Sequence, residues 1–170
     1  LATRFFTGMR TGEINALEWK HIDFEQDLIL VRQSIVKGKL ENTKTDGSMR
    51  DVPMVPLVRT ALLEQRKLVA KDCRWVFAQR TGDPINLVNF TTRIWPPPLR
   101  PLTQAPGRPH PTHHTAATLM LASGENPEWV ARTLGHANTE MLFRVYSRYV
   151  PNLTRNDGKD FTGLVTASSM

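Results

Sequence analysis

His110-Pro111-Thr112-His113-His114-Thr115, then Leu134-Gly135-His136, then Arg144-Val145-Tyr146-Ser147: these three wordings decide how the chain is read. Four of the five histidines lie between His110 and Tyr146, with a tyrosine able to act as a nucleophile. Ala116, Ala117, Leu119, Met120 and Leu121 predict a mostly buried helix that begins close to His110 and His113. Asn126-Pro127 is a good N-cap and first-turn pair, Val130 and Leu134 carry the apolar face, and Gly135 stops the helix. His136 therefore falls just past a helix end. A last helix from about Asn138 places Leu142, Val145, Tyr146 and Tyr149 at i, i+3, i+4, i+7 spacing. Tyr146 is on its buried face, where a tyrosine otherwise serves only packing.

Upstream of this stretch, residues 94–112 hold seven of the twelve prolines, which excludes a continuous helix or a central strand. We read that segment as a long connection across one domain, because a flanking half of the chain is thin for an independent core. Asn86 to Ile94 reads as a helix stopped by Pro96, and Trp75-Val76-Phe77 as a short strand or buried turn. From Leu57 to about Ala70, Val58, Ala61, Leu62, Leu68 and Val69 recur at helical spacing and predict a core helix.

The first third of the chain is of the strand kind. Leu28 to Val31 and Ser34 to Val36 are apolar runs that Lys37-Gly38-Lys39 turns, and Asp46-Gly47 marks a hairpin with Lys44 at a strand end beside it. A lysine there is ordinarily a solvated charge. Ile14, Leu17 and Trp19 suit a short helix with Thr11 as N-cap, leaving Arg10 at a loop-to-helix junction. Such an arginine either binds an anion or pairs on the surface with Glu13.

Composition bounds the function classes. With 170 residues, 40% hydrophobic and 22% charged, the chain suits one globular domain over residues 1–150 with a polar tail from 151 to 170, and no second core is expected. A net charge of +6 and a pI near 9.9 point to a polyanionic partner. Cys73 is the lone cysteine, so no internal disulfide forms, and a reducing cytoplasm is expected. No apolar run reaches the roughly 18 to 20 residues of a bilayer span, so no membrane partner is expected. Leu1 to Phe6 reads like the end of a helix already under way, as in a piece of something longer.

In order and wording these segments resemble the catalytic domain of the tyrosine recombinase (phage integrase) family, over most of the chain. Thr7-Gly8-Met9-Arg10-Thr11-Gly12-Glu13 is similar to the family's first arginine motif, and Thr43-Lys44-Thr45 with Ser48, Arg50 and Val52-Pro53 to the hairpin that bears its lysine. The third motif matches His110 through Thr115, the fourth Leu134-Gly135-His136, and the fifth supplies Tyr146. The resemblance implies an α+β, mainly α, fold: helices with a small antiparallel sheet.

It further implies site-specific cleavage and rejoining of double-stranded DNA through a 3′-phosphotyrosine, with no metal or other cofactor. Breaking a phosphodiester this way needs a nucleophile that preserves the bond energy, donors for the phosphate oxygens and an acid for the leaving 5′ oxygen. By resemblance Tyr146 attacks, Arg10 holds nonbridging oxygens, Lys44 protonates the leaving group, His110 assists the tyrosine proton or the phosphate geometry, and His136 bonds the phosphate. Glu13 braces Arg10. The relatives imply a homotetramer on DNA for the full-length protein, a bacterial, nucleoid-associated setting, and an amino-terminal DNA-clamping domain that this sequence lacks.

One departure matters most. The family's third motif reads His-x-x-Arg, and the arginine position here is His113. A histidine is mostly neutral at pH 7 and offers one N–H where arginine offers a charged fork. Loss of one preorganised donor costs about 3 to 4 kcal/mol. Impaired cleavage is therefore expected, and a decayed recombinase that only binds DNA is the alternative. Tyr149 is the alternative nucleophile, and a zinc set from His110, His113 and His114 is a rival enzyme class.

Overall fold

The computed structural model describes residues 2–42, 49–85, 111–136 and 138–146. The sequence readings at Lys44, the Asp46-Gly47 turn, the helix over 86–94, most of the proline-rich segment, His110, Tyr149 and the tail lie outside the described residues.

Helices and short antiparallel strands together give an α+β architecture, as expected. Helix α1 (Ala2–Phe6) leads into α2 (Thr11–Asn15) and a single 3-10 turn at Trp19–His21. Strands β1 (Ile22–Asp23), β2 (Leu28–Val31) and β5 (Arg50–Pro53) form one sheet in the order β1-β2-β5. Strands β3 (Gln33–Val36) and β4 (Lys39–Asn42) form a separate two-stranded hairpin. Helices α3 (Pro56–Leu68), α4 (Pro111–Ala122), α5 (Pro127–Leu134) and α6 (Glu140–Tyr146) complete the described elements.

Alternation fixes the sheet. Ile29 and Val31 on β2 face inward, and the register pairs them with Val52 and Arg50 on β5, whose inner face is those same two residues. A buried strand face thus carries one arginine. The β3–β4 turn has positive φ at both Lys37 and Gly38, the geometry that matches the twist of a two-residue hairpin. The run from Leu28 to Val36 is not one strand: the chain changes sheets at Arg32, which donates to the carbonyls of Val31 and Arg50 at 3.1 and 3.0 Å.

The expected single core is instead two clusters of buried side chains. One gathers Met9, Ile14, Leu17, Ile29, Val58 and Leu62 between the sheet, α2 and α3. The other gathers Ala117, Leu121, Val130, Leu134, Leu142 and Tyr146 among α4, α5 and α6. α1 touches both α3 and α4, and α5 lies on β5, so the clusters abut. At about 1.5 to 3 kcal/mol for each large side chain fully buried, either cluster is a substantial driving force.

Two local readings change and one resolves between its alternatives. α2 is capped from Arg10, not Thr11: the Glu13 carboxylate accepts the Arg10 backbone N–H at 2.7 Å, so a charged side chain replaces the hydroxyl. Leu68 is 80% exposed at the end of α3, because the core face ends at Leu62. The segment Trp75–Phe77 is a buried turn with Val76 inward, tied by an isolated bridge from Trp75 to Glu18. Beside it, Glu18 is buried yet held down to about pKa 2 by the Arg74 guanidinium, against burial and with help from Gln33 and Lys20.

Candidate active site

The site lies where the two clusters meet, and glycine makes the approach possible. Gly8, at φ +64°, faces α5 so closely that a Cβ there would sit 2.5 Å from the Leu134 side chain. Its carbonyl is thereby brought to His113 Nδ1 in the first turn of α4, at 2.5 Å. At this same end of α5, Gly135 terminates the helix in the left-handed conformation at φ +69°. A Cβ on Gly135 would lie 2.8 Å from Arg50 Nη1 and 3.1 Å from Arg10 Nη1.

Two guanidiniums crowd that helix end for an electrostatic reason. The last carbonyls of α5 lack partners within the helix and form its negative pole. Arg50 Nε donates to Thr133 O at 2.6 Å, and Arg10 Nη2 donates to Gly135 O at 2.9 Å. Between the two arginines sits Glu13, buried at 3% exposure, taking both Arg50 Nη groups at 2.9 Å and Arg10 Nη1 at 3.2 Å. Burial alone would raise the Glu13 carboxyl, but the Arg50 bonds and charge, with those of Arg10, hold it below the ordinary value. Arg10 does pair with Glu13, though with a buried carboxylate and not on the surface, and its side chain is 43% exposed along the wall of a cavity.

That cavity, about 590 Å³, is lined by Arg10, His113, His114, His136 and Tyr146 together with the β3–β4 turn. The described residues that sequence placed in the site, Arg10, His113, His136 and Tyr146, therefore share one concavity. Lys44 and His110 lie outside the described residues. The cavity wall includes Lys37 and, among its described residues, no carboxylate.

The histidines are arranged as acceptors and donors among themselves. Because a carbonyl only accepts, His113 Nδ1 carries the proton toward Gly8 O, and its Nε2 is a lone pair. That lone pair faces His136 Nε2 at 3.2 Å, so His136 Nε2–H donates to it. Neither ring then presents an N–H to the cavity by these nitrogens, and His136 Nδ1 is buried with no hydrogen-bond partner among the described residues. The one N–H that His113 offers is directed into the protein. His114, also in the first turn of α4, meets the Tyr146 hydroxyl through its Nδ1 in a hydrogen bond. Its neighbour His113 turns away to Gly8 and His136. The nitrogens of His113 and His114, the described members of the rival zinc set, thus serve different partners, and among the described residues no group of three metal-ligating side chains converges.

Burial lowers the His113 pKa to about 4, with Arg10 and His136 acting in the same direction and the Gly8 bond opposing. His136 is lowered by burial first and then by Arg10, Arg50 and His114. Burial raises the Tyr146 phenol. The folded His113 binds its proton less readily than the unfolded chain, so its contribution to stability is whole above about pH 6.5 and is lost as pH falls toward 4. The loss expected from this residue is about 3 kcal/mol. Urea midpoints at pH 7.5 and 4.5 measure it, and His113→Gln flattens the difference; an equal fall in the variant assigns the acid sensitivity to other groups.

Residues 3–152 match the phage integrase family. This chain belongs to that family, the tyrosine recombinases. It is 24% identical over 172 residues to the prophage integrase IntR of Escherichia coli K12, covering 87% of this chain and 42% of that protein. It is 25% identical over 182 residues to a XerC-like tyrosine recombinase of Caldanaerobacter subterraneus, covering 89% and 45%. The chain thus spans less than half the length of these curated relatives. Among solved structures, the Tn1549 transposon integrase in complex with circular intermediate DNA superposes at a TM-score of 0.72, with 22% identity over 95% of this chain and 57% of that one. The XerA recombinase gives 0.66, with 22% identity over 99% and 55%. The fold is that of a tyrosine recombinase catalytic domain, and no helix among the described residues is long and apolar enough to cross a membrane.

Two residues of this arrangement were not singled out from sequence. Arg50 was read only as part of the wording of the second motif, and the buried bond to Glu13 spans 37 positions with nothing in one sequence to announce it. His114 entered only as a metal candidate. Its signal was present, since it follows His113 on a helix start, but its pairing with Tyr146 needs α4 and α6 side by side.

Proposed function

We propose that this chain is the catalytic segment of a DNA integrase that cuts and rejoins double-stranded DNA through a phosphotyrosine, working slowly because His113 stands where the family motif has arginine. The observation that carries the reading is the convergence of Arg10, His136 and Tyr146, from three separate elements, on one basic cavity. The Tyr146 oxygen bonds to phosphorus, the bond to the 5′ oxygen breaks, and that oxygen takes a proton from Lys44. Arg10 keeps N–H groups for the nonbridging oxygens beyond those it gives to Glu13 and Gly135. In the full-length protein a homotetramer would bring two duplexes together, and a 5′ hydroxyl of one would attack the phosphotyrosine of the other.

A second reading, a domain that only binds DNA, is favoured by one specific observation: the His113–His136 bond holds back donors that the phosphate needs. One assay separates the two. The protein is incubated with a pool of nicked half-site duplexes randomised over the core, and adducts that survive detergent are collected. A low yield of adduct, absent from Tyr146→Phe, is the expected outcome. Adduct persisting in that variant moves the nucleophile to Tyr149. DNA retention with no adduct from the unaltered protein or from His113→Arg leaves the binding domain.

A further inference from the structure

We propose that His114 is a catalytic residue that takes the proton from the Tyr146 hydroxyl as the tyrosine attacks phosphorus. The inference rests on the recombinase reading above and assigns within it a role given there to no described residue.

The geometry is specific. His114 lies in the first turn of α4 and Tyr146 at the end of α6, and the Nδ1 nitrogen is hydrogen-bonded to the hydroxyl. The rings are 5.8 Å apart and inclined at 43°, so the contact is edge to oxygen and not a stack. A phenol hydroxyl both donates and accepts, and the base assignment takes the tautomer in which the hydroxyl donates, with Nδ1 the lone-pair side of the ring and Nε2 the protonated side. No intervening water is needed for the transfer, and the separation is within reach for general-base catalysis.

The surroundings make a base necessary and make its product tolerable. Burial raises the Tyr146 phenol, so little phenolate forms unaided at neutral pH. The groups that face the pair are Arg10 from the α2 junction, Lys37 from the hairpin turn, His113 on α4 and His136 beyond α5. Two of these are cations that favour a developing phenolate and the phosphate. His113 cannot substitute for His114, because its nitrogens are engaged by Gly8 and His136. His114 is exposed as a residue, whereas His113 beside it is buried.

Proton and bond accounting closes. In cleavage the O–P bond to Tyr146 forms, its proton passes to His114 Nδ1, the P–O5′ bond breaks, and the 5′ oxygen is protonated. In rejoining, the 5′ hydroxyl attacks and gives its proton back to Lys44, the P–O bond to Tyr146 breaks, and His114 returns its proton to the departing tyrosine oxygen.

The test uses single-turnover adduct formation with the nicked half-site pool, in the unaltered protein and in the His113→Arg background. His114→Ala is expected to slow the step by about a hundred- to ten-thousandfold near pH 7. Its deficit is expected to shrink as pH rises and tyrosine ionises on its own, and added imidazole is expected to restore part of the rate. His114→Asn supplies an acceptor that cannot carry a proton, so it is expected to be as slow as alanine. Recovery with asparagine, or a deficit that is constant with pH, overturns proton transfer in favour of a positioning role. An unchanged rate in His114→Ala, with adduct still lost in Tyr146→Phe, overturns the His114 assignment alone. Absence of adduct from both backgrounds overturns the recombinase reading, and this assignment with it.

Discussion

Arginine in place of His113 is expected to raise the yield of covalent protein–DNA adduct by about a hundred- to a thousandfold, the value of one preorganised donor at a charged transition state. The structure makes the expectation larger than a single lost contact. With His113 in place, His136 gives its Nε2 proton to the His113 lone pair, so two donors are withheld from the cavity by one substitution. An arginine has no lone pair to offer, still reaches a carbonyl such as that of Gly8, and keeps its charge. His113→Ala separates the two effects: it supplies no donor but releases His136, and its yield is expected to match or modestly exceed that of the unaltered protein. A yield for His113→Arg equal to that of His113→Ala shows that charge at this position does not limit the reaction.

The other large effect is on stability. Arg50→Met is expected to cost about 3 to 5 kcal/mol, because it leaves the Glu13 carboxylate buried with only Arg10 beside it and strips Thr133 O of its donor. The double variant Arg50→Met, Glu13→Gln removes both buried charges and is expected to regain most of that loss while remaining poor in adduct formation. Urea midpoints of the three proteins decide the matter. If the single variant shifts stability by under about 1 kcal/mol, the pair behaves as a surface ion pair and the two clusters are not joined through it.

How much of this was legible in the sequence depends on the range of the interaction that fixes each feature. Asn126-Pro127 and Gly135 bound α5 as read, because caps and stops are local: Asn126 Oδ1 accepts the Glu128 and Trp129 N–H groups, and Gly135 takes the left-handed turn. The Leu28–Val31 strand, the Lys37-Gly38 turn and the buried side of Tyr146 are likewise set by periodicity and turn chemistry. The cap of α2 was misplaced because a carboxylate three residues on took the role that a hydroxyl beside it could have had. Leu68 was read as core because periodicity continues past the point where the opposing surface ends. The candidate site divides the same way. Residue types at Arg10, His136 and Tyr146 were visible in their wording, whereas the bonds Arg50–Glu13, His113–His136 and His114–Tyr146 span 37, 23 and 32 positions and exist only once the helices have met.

The two arginines at the end of α5 carry one more consequence. They join a strand face of one hydrophobic cluster to a helix terminus of the other by polar bonds, and polar bonds are the part of the interface that water can replace. Loosening of the molecule is therefore expected to begin along this seam, before either apolar cluster melts. Such a protein is expected to lose its reactive geometry ahead of its fold, and an anion bound at Arg10 is expected to narrow the gap between the two events.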